Sequence, residues 1–272
     1  MQAAAFSYIQ QMVKDQAGIV VEPGKEYLAE SRLAGLAREQ GFASLEPFVG
    51  RLRMSPFGEL HRRVIEALTT NETSFFRDHR PFEALRKVII PQLLATRSDR
   101  RLAIWCAASS SGQEPYSMAM LLREHFPAIV PTTRIIASDI SREMLARTAS
   151  GIYSQFEIGR GLPAMMLAKY MVQHGADWQF KPELRGMIET REINLAAPFP
   201  TLPPIDILMV RNVLIYFDMP RKQDILNRMR KVMSPGGVLV LGGAETTLGV
   251  EVELERCTAD NKAAWYRRKD AR

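Results

Sequence analysis

Cysteine and histidine are scarce, with two and four in 272 residues. Cys106 and Cys257 stand far apart and match no metal or redox spacing, so both read as reduced packing residues. His61, His79, His125 and His174 form no H-x-x-x-H pair or His/Cys cluster of the kind zinc sites use, and the expectation is a protein without metal chemistry. No Ser/His/Asp or Cys/His arrangement for nucleophilic catalysis is recognisable. No apolar run reaches the roughly 18 residues that span a bilayer. The opening MQAAAFSYIQQMVKD has neither the cationic head nor the apolar core of a signal peptide. A cytoplasmic location without membrane insertion is therefore expected. The P-loop pattern G-x-x-x-x-G-K-[ST] is missing. So is G-x-G-x-x-G, because Ala108 and Ser110 stand where glycines would be expected, which argues against a nicotinamide site.

What is present describes a folded chain with a substantial core, 46% hydrophobic and 24% charged. Its length suits one large domain with a smaller appendage. The net charge is +6, and none of that excess falls in the first 70 residues, where eight basic side chains balance eight acidic ones. No single basic tract dominates. Nucleic acid, a membrane surface or an acidic protein could each answer to such a charge.

The chain is organised around Arg101 to Ser117, RLAIWCAASSSGQEPYS. An apolar run, Leu102 to Cys106, ends in five small residues and Gly112, and a helical segment follows from Glu114 to Glu124. In an open parallel α/β sheet the ligand lies at the carboxyl ends of the strands, and the turn after the first strand is its floor. Small side chains let a flat ligand approach the backbone. With P-loop and dinucleotide patterns absent, a nucleoside ligand without pyrophosphate remains, and S-adenosylmethionine fits.

Residues 1 to 70 read as a small helical domain. Phe6, Ile9, Met12 and Val13 follow helical spacing, as do Tyr27, Leu28, Leu33 and Leu36, then Leu60, Val64, Ile65 and Leu68. Breaks fall at Pro23-Gly24, Gly41 and Ser55-Pro56. Arg32, Arg38, Arg62 and Arg63 form either a solvated face or a cationic surface for an acidic partner. Residues 71 to 272 then alternate strand and helix. A polar and aromatic linker leads into a helix near Pro81, with Asp78 suited to its start. Strands are expected at Arg134 to Ser138, Ile188 to Ile193, Ile205 to Val210 and Val238 to Leu241, with Val250 to Cys257 and Ala263 to Arg267 completing the sheet. Helices are expected from Ser141, over Pro163 to Val172, and over Asp218 to Met233, closed by Ser234-Pro-Gly-Gly237. A small strand excursion is expected around Trp178 to Phe180, within an insertion near 173–187. The fold class is α/β, a doubly wound, mostly parallel seven-stranded sheet with a helical amino-terminal domain. Asp139 ends the second strand, 27 residues after Gly112. It either takes ribose hydroxyls, normally the task of an acid about 20 residues on, or caps the next helix.

Three stretches occur in order: N-E-T-S-F-F-R-D (71–78), S-S-G-Q-E-P-Y-S (110–117) and R-N-V-L-I-Y-F-D (211–218). Together they resemble the chemotaxis receptor methyltransferase family, CheR, along almost the whole chain. The resemblance implies a helical domain joined to a class I methyltransferase domain, with S-adenosylmethionine as donor. It also implies that the acceptor is a glutamate on the cytoplasmic helical bundle of chemoreceptors, and the product a glutamyl methyl ester. Carried over by position, it places cofactor contacts at Asn71, Thr73, Arg77, Glu114, Asp139, Asn194, Leu195, Asn212 and Val213, with Arg77 and Tyr216 beside the reacting methyl. Gln113 and Val210 depart from the family's usual glutamate and cysteine, outside these contacts. Some members grip a receptor's carboxyl-terminal peptide through the small insertion. This insertion is compact, with only Gly175 at its tip, and the expectation is a monomer that does not need that tether.

The chemistry needs no general base, since a glutamate with pKa near 4.3 is an anion at neutral pH. Arg77 could bind the donor's carboxylate or steer the acceptor, because a guanidinium fork matches either. Tyr216 could orient the acceptor oxygen or simply pack beside Ile215 and Phe217. Enzymes that methylate planar amino nitrogens carry [DN]-P-P-[YF] after the fourth strand. Here Arg211-Asn212-Val213-Leu214 occupies that position, and a nucleic-acid substrate is not expected.

Overall fold

The hydrophobic spacing of the first 70 residues closes into four helices in the computed structural model, which describes residues 1–96, 101–258 and 263–269. Residues 97–100, 259–262 and 270–272 of the second expected domain lie outside the described residues. Helix α1 (Ala3–Ala17) buries Phe6, Ile9, Met12 and Val13. Helix α2 (Glu26–Glu39) buries Leu33 and Leu36, but Ala29 rather than Tyr27 completes its inner stripe, and Tyr27 is 66% exposed. Helix α4 (Glu59–Leu68) buries Val64, Ile65 and Leu68. Between them stands α3 (Leu45–Met54), which the spacing argument did not mark. Pro47 and Gly50 obscure it, yet Phe48, Val49 and Leu52 supply a full turn to the common core.

After a linker, α5 (Arg80–Ala84) continues through a π turn, Leu85–Ile89, into α6 (Ile90–Ala95). Strand β1 (Leu102–Ala107) and α7 (Gln113–His125) follow, then β2 (Thr133–Asp139) and α8 (Arg142–Ser150). A side excursion comprises β3 (Ile152–Tyr153), α9 (Gln155–Gly159), α10 (Ala164–Tyr170), β4 (Met171–His174) and β5 (Asp177–Phe180). The chain returns through α11 (Pro182–Arg185), β6 (Ile188–Glu192), β7 (Ile205–Val210), α12 (Met219–Val232), β8 (Met233–Leu241), β9 (Leu254–Thr258) and β10 (Ala264–Arg268).

Among the described residues the main sheet has seven strands in the order β6-β2-β1-β7-β8-β10-β9. The first five are parallel, and β10 runs antiparallel to both β8 and β9. Period-two alternation sends Ile104, Cys106, Met209 and Val240 to one face, and Trp105, Ala107, Leu208, Val210 and Leu241 to the other. Helix α7 covers the first face through Met118 to Leu122, and α12 covers the second through Ile225, Leu226 and Met229. A parallel sheet with both faces buried is the doubly wound arrangement. Strand order reverses between β1 and β7, and the crevice beyond their carboxyl ends is where such folds bind ligands.

Three boundaries differ from expectation, one of them at β9, which begins at Leu254 rather than Val250. Met171 and Val172 are not the end of a helix, because they pair with Phe180 and Gln179 in a three-stranded antiparallel sheet, β3-β5-β4, that already begins at Ile152. Likewise β8 starts at Met233 rather than Val238. Its Ser234-Pro-Gly-Gly segment is strand, accommodated by a register shift opposite Ile205–Ile207, rather than a helix terminator.

The helical core meets the sheet at the crevice. Ile19 packs against both cores and bridges to Phe217, and Val20 N–H donates to the Tyr216 carbonyl at 2.8 Å. The assignment of α2's inner face is checked by urea unfolding. Leu33→Ala should cost about 2 to 5 kcal/mol, whereas Tyr27→Ala should stay within about 0.5 kcal/mol.

Candidate active site

The turn after β1 is held in a conformation that L-residues seldom adopt. Ala108, Ser110 and Gly112 have φ of 53°, 50° and 96°. A Cβ on Gly112 would lie 2.7 Å from Thr148 Oγ1 and 2.9 Å from the Tyr153 hydroxyl, so only glycine closes this turn against α8 and β3. Its backbone is tied on every side. Ser109 N–H donates to the Ser138 carbonyl at 2.8 Å, the Tyr153 hydroxyl to the Ser111 carbonyl at 2.6 Å, and Ser110 Oγ to the Asn71 carbonyl at 2.8 Å.

Asp139 ends β2 with its side chain facing this turn. Its Oδ2 accepts Ser110 N–H at 2.8 Å and its Oδ1 accepts Ser141 N–H at 2.9 Å. Helix α8 is capped by Ser141, whose Oγ accepts Met144 N–H, so Asp139 is not the cap residue. Each carboxylate oxygen keeps a lone pair for a ligand. Burial raises the Asp139 carboxyl above its ordinary pKa, against the lowering effect of the Ser141 and Ser110 amides.

The linker from Thr69 to Asp78 is a wall of the crevice. Arg32 reaches from α2 to donate to the carbonyls of Leu68 at 2.8 Å and Thr69 at 2.9 Å. Arg63 is likewise engaged, in a two-point pair with Glu39 at 2.7 and 2.6 Å. Two of the four arginines read as a cationic face therefore serve internal contacts. Phe75 is buried against Tyr153 and Phe180, with ring centroids 5.1 and 5.8 Å away, and Phe76 N–H donates to Ser117 Oγ. These contacts account for adjacent aromatics in a linker. Arg77 then lies half-buried, its Nη1 donating to the Glu72 carbonyl at 2.9 Å.

Arg211, at the end of β7, has a side chain only 2% exposed. Its Nη1 donates to Glu114 Oε2 at 2.8 Å, and its Nη2 to Asp78 Oδ2 at 2.8 Å and to the Arg77 carbonyl at 2.7 Å. Asp78 thus serves Arg211 rather than a helix start, and α5 is preceded by His79 instead. Burial raises the Glu114 carboxyl, and Arg211 pulls it back. Glu114, Arg211 and the linker are thereby joined in one charged knot.

All ten residues singled out in the sequence line the same crevice: Asn71, Thr73, Arg77, Glu114, Asp139, Asn194, Leu195, Asn212, Val213 and Tyr216. The crevice holds about 990 Å³ of empty space, part of it open to solvent. Asn194 contributes least through its side chain. Its Nδ2 donates to the Gln16 carbonyl and its Oδ1 accepts Ala196 N–H, so what it presents is backbone. Tyr216 is only half-buried and lines the opening, so it is not a core aromatic. The motif reading missed Arg211, Ser110 and Glu245. The first two stand inside the quoted motifs, and an arginine at the end of a strand that is apolar but for Asp206 was the available signal for Arg211. Nothing in the sequence marks Glu245.

Two family models match most of the chain: "CheR methyltransferase, all-alpha domain" over residues 4–69 and "CheR methyltransferase, SAM binding domain" over residues 71–263. The chain belongs to the CheR methyltransferase family. It is 38% identical over 250 residues to the chemotaxis protein methyltransferase Cher2 of Pseudomonas putida, covering 90% of this chain and 91% of that protein. It is 39% identical over 247 residues to chemotaxis protein methyltransferase 1 of Pseudomonas aeruginosa, covering 89% and 90%. A chemotaxis protein methyltransferase of Borreliella burgdorferi is 31% identical over 245 residues, covering 88% and 86%. As a CheR chain it is an enzyme that uses S-adenosylmethionine. The crevice itself fits that donor, because Ser109 Oγ, Arg211 Nε and Asn212 Oδ1 line it as buried polar atoms without a partner. A polar ligand is what such atoms require.

Arg211→Met should cost about 3 to 5 kcal/mol of stability, because it leaves Glu114 unpaired in a buried site; urea unfolding checks it, and a cost below about 1 kcal/mol would contradict the knot. The raised carboxyl of Asp139 gives a pH dependence of defined sign. Affinity for S-adenosylhomocysteine, measured by calorimetry, should weaken on acidification, starting at a higher pH than an unperturbed aspartate near 3.9 would give. Asp139→Asn should flatten that dependence.

Proposed function

We propose that this enzyme transfers the methyl group of S-adenosylmethionine to glutamate side-chain carboxylates on the cytoplasmic helical bundle of chemoreceptors, forming glutamyl methyl esters. The observation that supports this most is the chemistry of the crevice in a CheR chain. Among the described residues its lining holds no histidine, lysine or cysteine, while Arg77 and Tyr216 stand with Glu114 and Asp139 around one space. A carboxylate acceptor is already ionised and needs no proton removed. An alcohol or amine acceptor would call for a base, and the carboxylates of this lining are already engaged: Glu114 by Arg211, Asp139 by the Ser110 and Ser141 amides, and Glu72 by Arg160.

When bound, S-adenosylmethionine supplies a methyl carbon on a sulfonium; its S–C bond breaks as the acceptor's O–C bond forms, and the thioether leaves with the electron pair. A cation and an anion thereby become two neutral groups. Asp139 accepts the ribose hydroxyls with its free lone pairs, and Ser109 and Ser110 let the nucleoside lie against the turn. Leu195 offers an apolar surface to the adenine, beside the backbone of Asn194. Asn71, Thr73, Asn212 and Val213 close the remaining walls. Arg77 is near enough to Glu114 for their charges to interact. A zwitterionic amino-acid end therefore fits between them, its ammonium on Glu114 and its carboxylate on Arg77. Tyr216 donates its hydroxyl to the acceptor and aims the attacking oxygen. Catalysis is then mostly orientation, an effect worth up to about 7 to 11 kcal/mol in well-aligned cases.

Residues 1–70 are proposed as the receptor-facing domain, with residues 71–272 carrying the methyl transfer. Among the described residues no helix is long and apolar enough to cross a membrane. We further propose that the enzyme acts in the cytoplasm as a monomer, without a receptor's carboxyl-terminal peptide. Incubation with labelled donor and receptor cytoplasmic fragments should yield base-labile label on glutamates, equally with and without that terminal peptide. Base-stable label, or none on any glutamate, would overturn the reading. Asp139→Ala should abolish detectable S-adenosylhomocysteine binding. Arg77→Ala should lose methylation by about 100-fold or more while its unfolding midpoint stays near that of the parent.

A further inference from the structure

Asn212, Val213 and Tyr216 reach the crevice from one loop after β7, and that loop is shaped from outside itself. Glu245, beyond the end of β8, places its carboxylate beneath the loop. Its Oε2 accepts Asn212 N–H at 2.7 Å and Gly242 N–H at 2.8 Å, and its Oε1 accepts Val213 N–H at 2.9 Å and Leu214 N–H at 2.7 Å. Four backbone donors thus converge on one side chain. Asn212 meanwhile holds φ at 58°, which a non-glycine residue keeps only where its surroundings over-determine it. Approach is close enough that a Cβ on Gly242 would lie 2.7 Å from Glu245 Oε2 and 2.8 Å from the Asn212 nitrogen. The loop continues through Leu214–Tyr216, a single 3-10 turn, to the Tyr216 carbonyl that receives Val20 N–H.

We propose that Glu245 is a positioning residue for methyl transfer. Its carboxylate clamps residues 212–214 and so fixes where Asn212 Oδ1 and the Tyr216 ring stand in the crevice, and the inference rests on the transfer chemistry proposed above. A neutral acceptor cannot do the same, because an amide turns one of its two ends into a donor that faces the loop's own N–H groups. The clamp also joins the ends of β7 and β8, so the two neighbouring strands that carry the loop move as one.

Glu245→Gln tests this through two independent readouts. In amide hydrogen exchange, Asn212, Val213, Leu214 and Gly242 should exchange at least about 10-fold faster than in the parent, with β7 and β8 unchanged. With a receptor cytoplasmic fragment as acceptor, kcat should fall about 100-fold, while the Kd for S-adenosylhomocysteine rises less than about 10-fold because Asp139 and Glu114 still hold it. Glu245→Asp, which keeps the charge and withdraws it by one methylene, should fall between the two and serves if the glutamine variant does not fold. Four outcomes overturn the proposal: kcat within about 3-fold of the parent, lost turnover with an unchanged loop, loss of protection throughout β7 and β8, or a Kd that worsens in step with kcat. Exchange needs no acceptor, so a parent enzyme that fails to methylate glutamate defeats the acceptor reading, while the exchange rates still decide whether the clamp exists.

Discussion

A single buried guanidinium decides how the parts of this protein meet. Arg211 sits at the tip of the central strand β7 and bonds Glu114 from the first turn of α7, together with Asp78 and the Arg77 carbonyl from the linker. Removing a cation from water costs several kcal/mol, and the cost is recovered only where good partners surround it. Two carboxylates and a carbonyl meet that condition at distances of 2.7 to 2.8 Å. The Phe82 ring lies 5.6 Å from the same guanidinium and adds a cation–π contact. The consequence reaches beyond stability. The linker that follows the helical domain is drawn onto the sheet, Arg77 is delivered to the crevice, and Arg211 opposes the upward push that burial gives the Glu114 carboxyl.

Around this knot the protein stores backbone strain where the ligand lies. Ala108, Ser110 and Asn212 lie at the tips of β1 and β7 with positive φ, and Phe76, Asp78 and His79 do the same in the linker. Four of them are held by specific bonds, Ser110 to Asp139, Phe76 to Ser117, Asp78 to Arg211 and Asn212 to Glu245. Strain of this kind clusters at working sites because it fixes groups in advance of binding. A methyl transfer that depends on alignment gains most from walls that do not move. The floor is built from small residues, while the longer side chains proposed to meet the reacting groups come from the linker and the loop after β7.

Much of this was legible before any coordinates. Strands β1, β2 and β7 announce themselves because buried parallel strands are nearly continuous apolar runs, and the small-residue turn with Asp139 downstream pointed to the crevice. The three motif stretches carry seven of the ten residues that line the crevice, and Asp139, Asn194 and Leu195 join them from elsewhere in the sheet domain. What stayed hidden follows physical rules too. Helix α3 carries Pro47 and Gly50, so local propensity argued against it while Phe48 and Leu52 buried it anyway. Ser234-Pro-Gly-Gly looked like a terminator, yet it is strand because its neighbour β7 supplies the ladder. Tyr27 fitted the helical period but faces water, because the stripe that α2 buries runs through Ala29, Leu33, Leu36 and Ala37. Arg32 looked available for a partner and is spent on the Leu68 and Thr69 carbonyls. Glu245 was invisible because its partners are backbone amides, which no residue pattern records.

Everything at the crevice depends on Arg211 serving as counter-ion to Glu114 rather than as one packing residue among many. A double-mutant cycle in urea unfolding isolates that pair: Arg211→Met, Glu114→Gln, and both together. If the guanidinium is there to neutralise the buried carboxylate, the double variant regains at least about half of what Arg211→Met alone loses, since no unpaired charge is left inside. Losses that simply add would contradict that role.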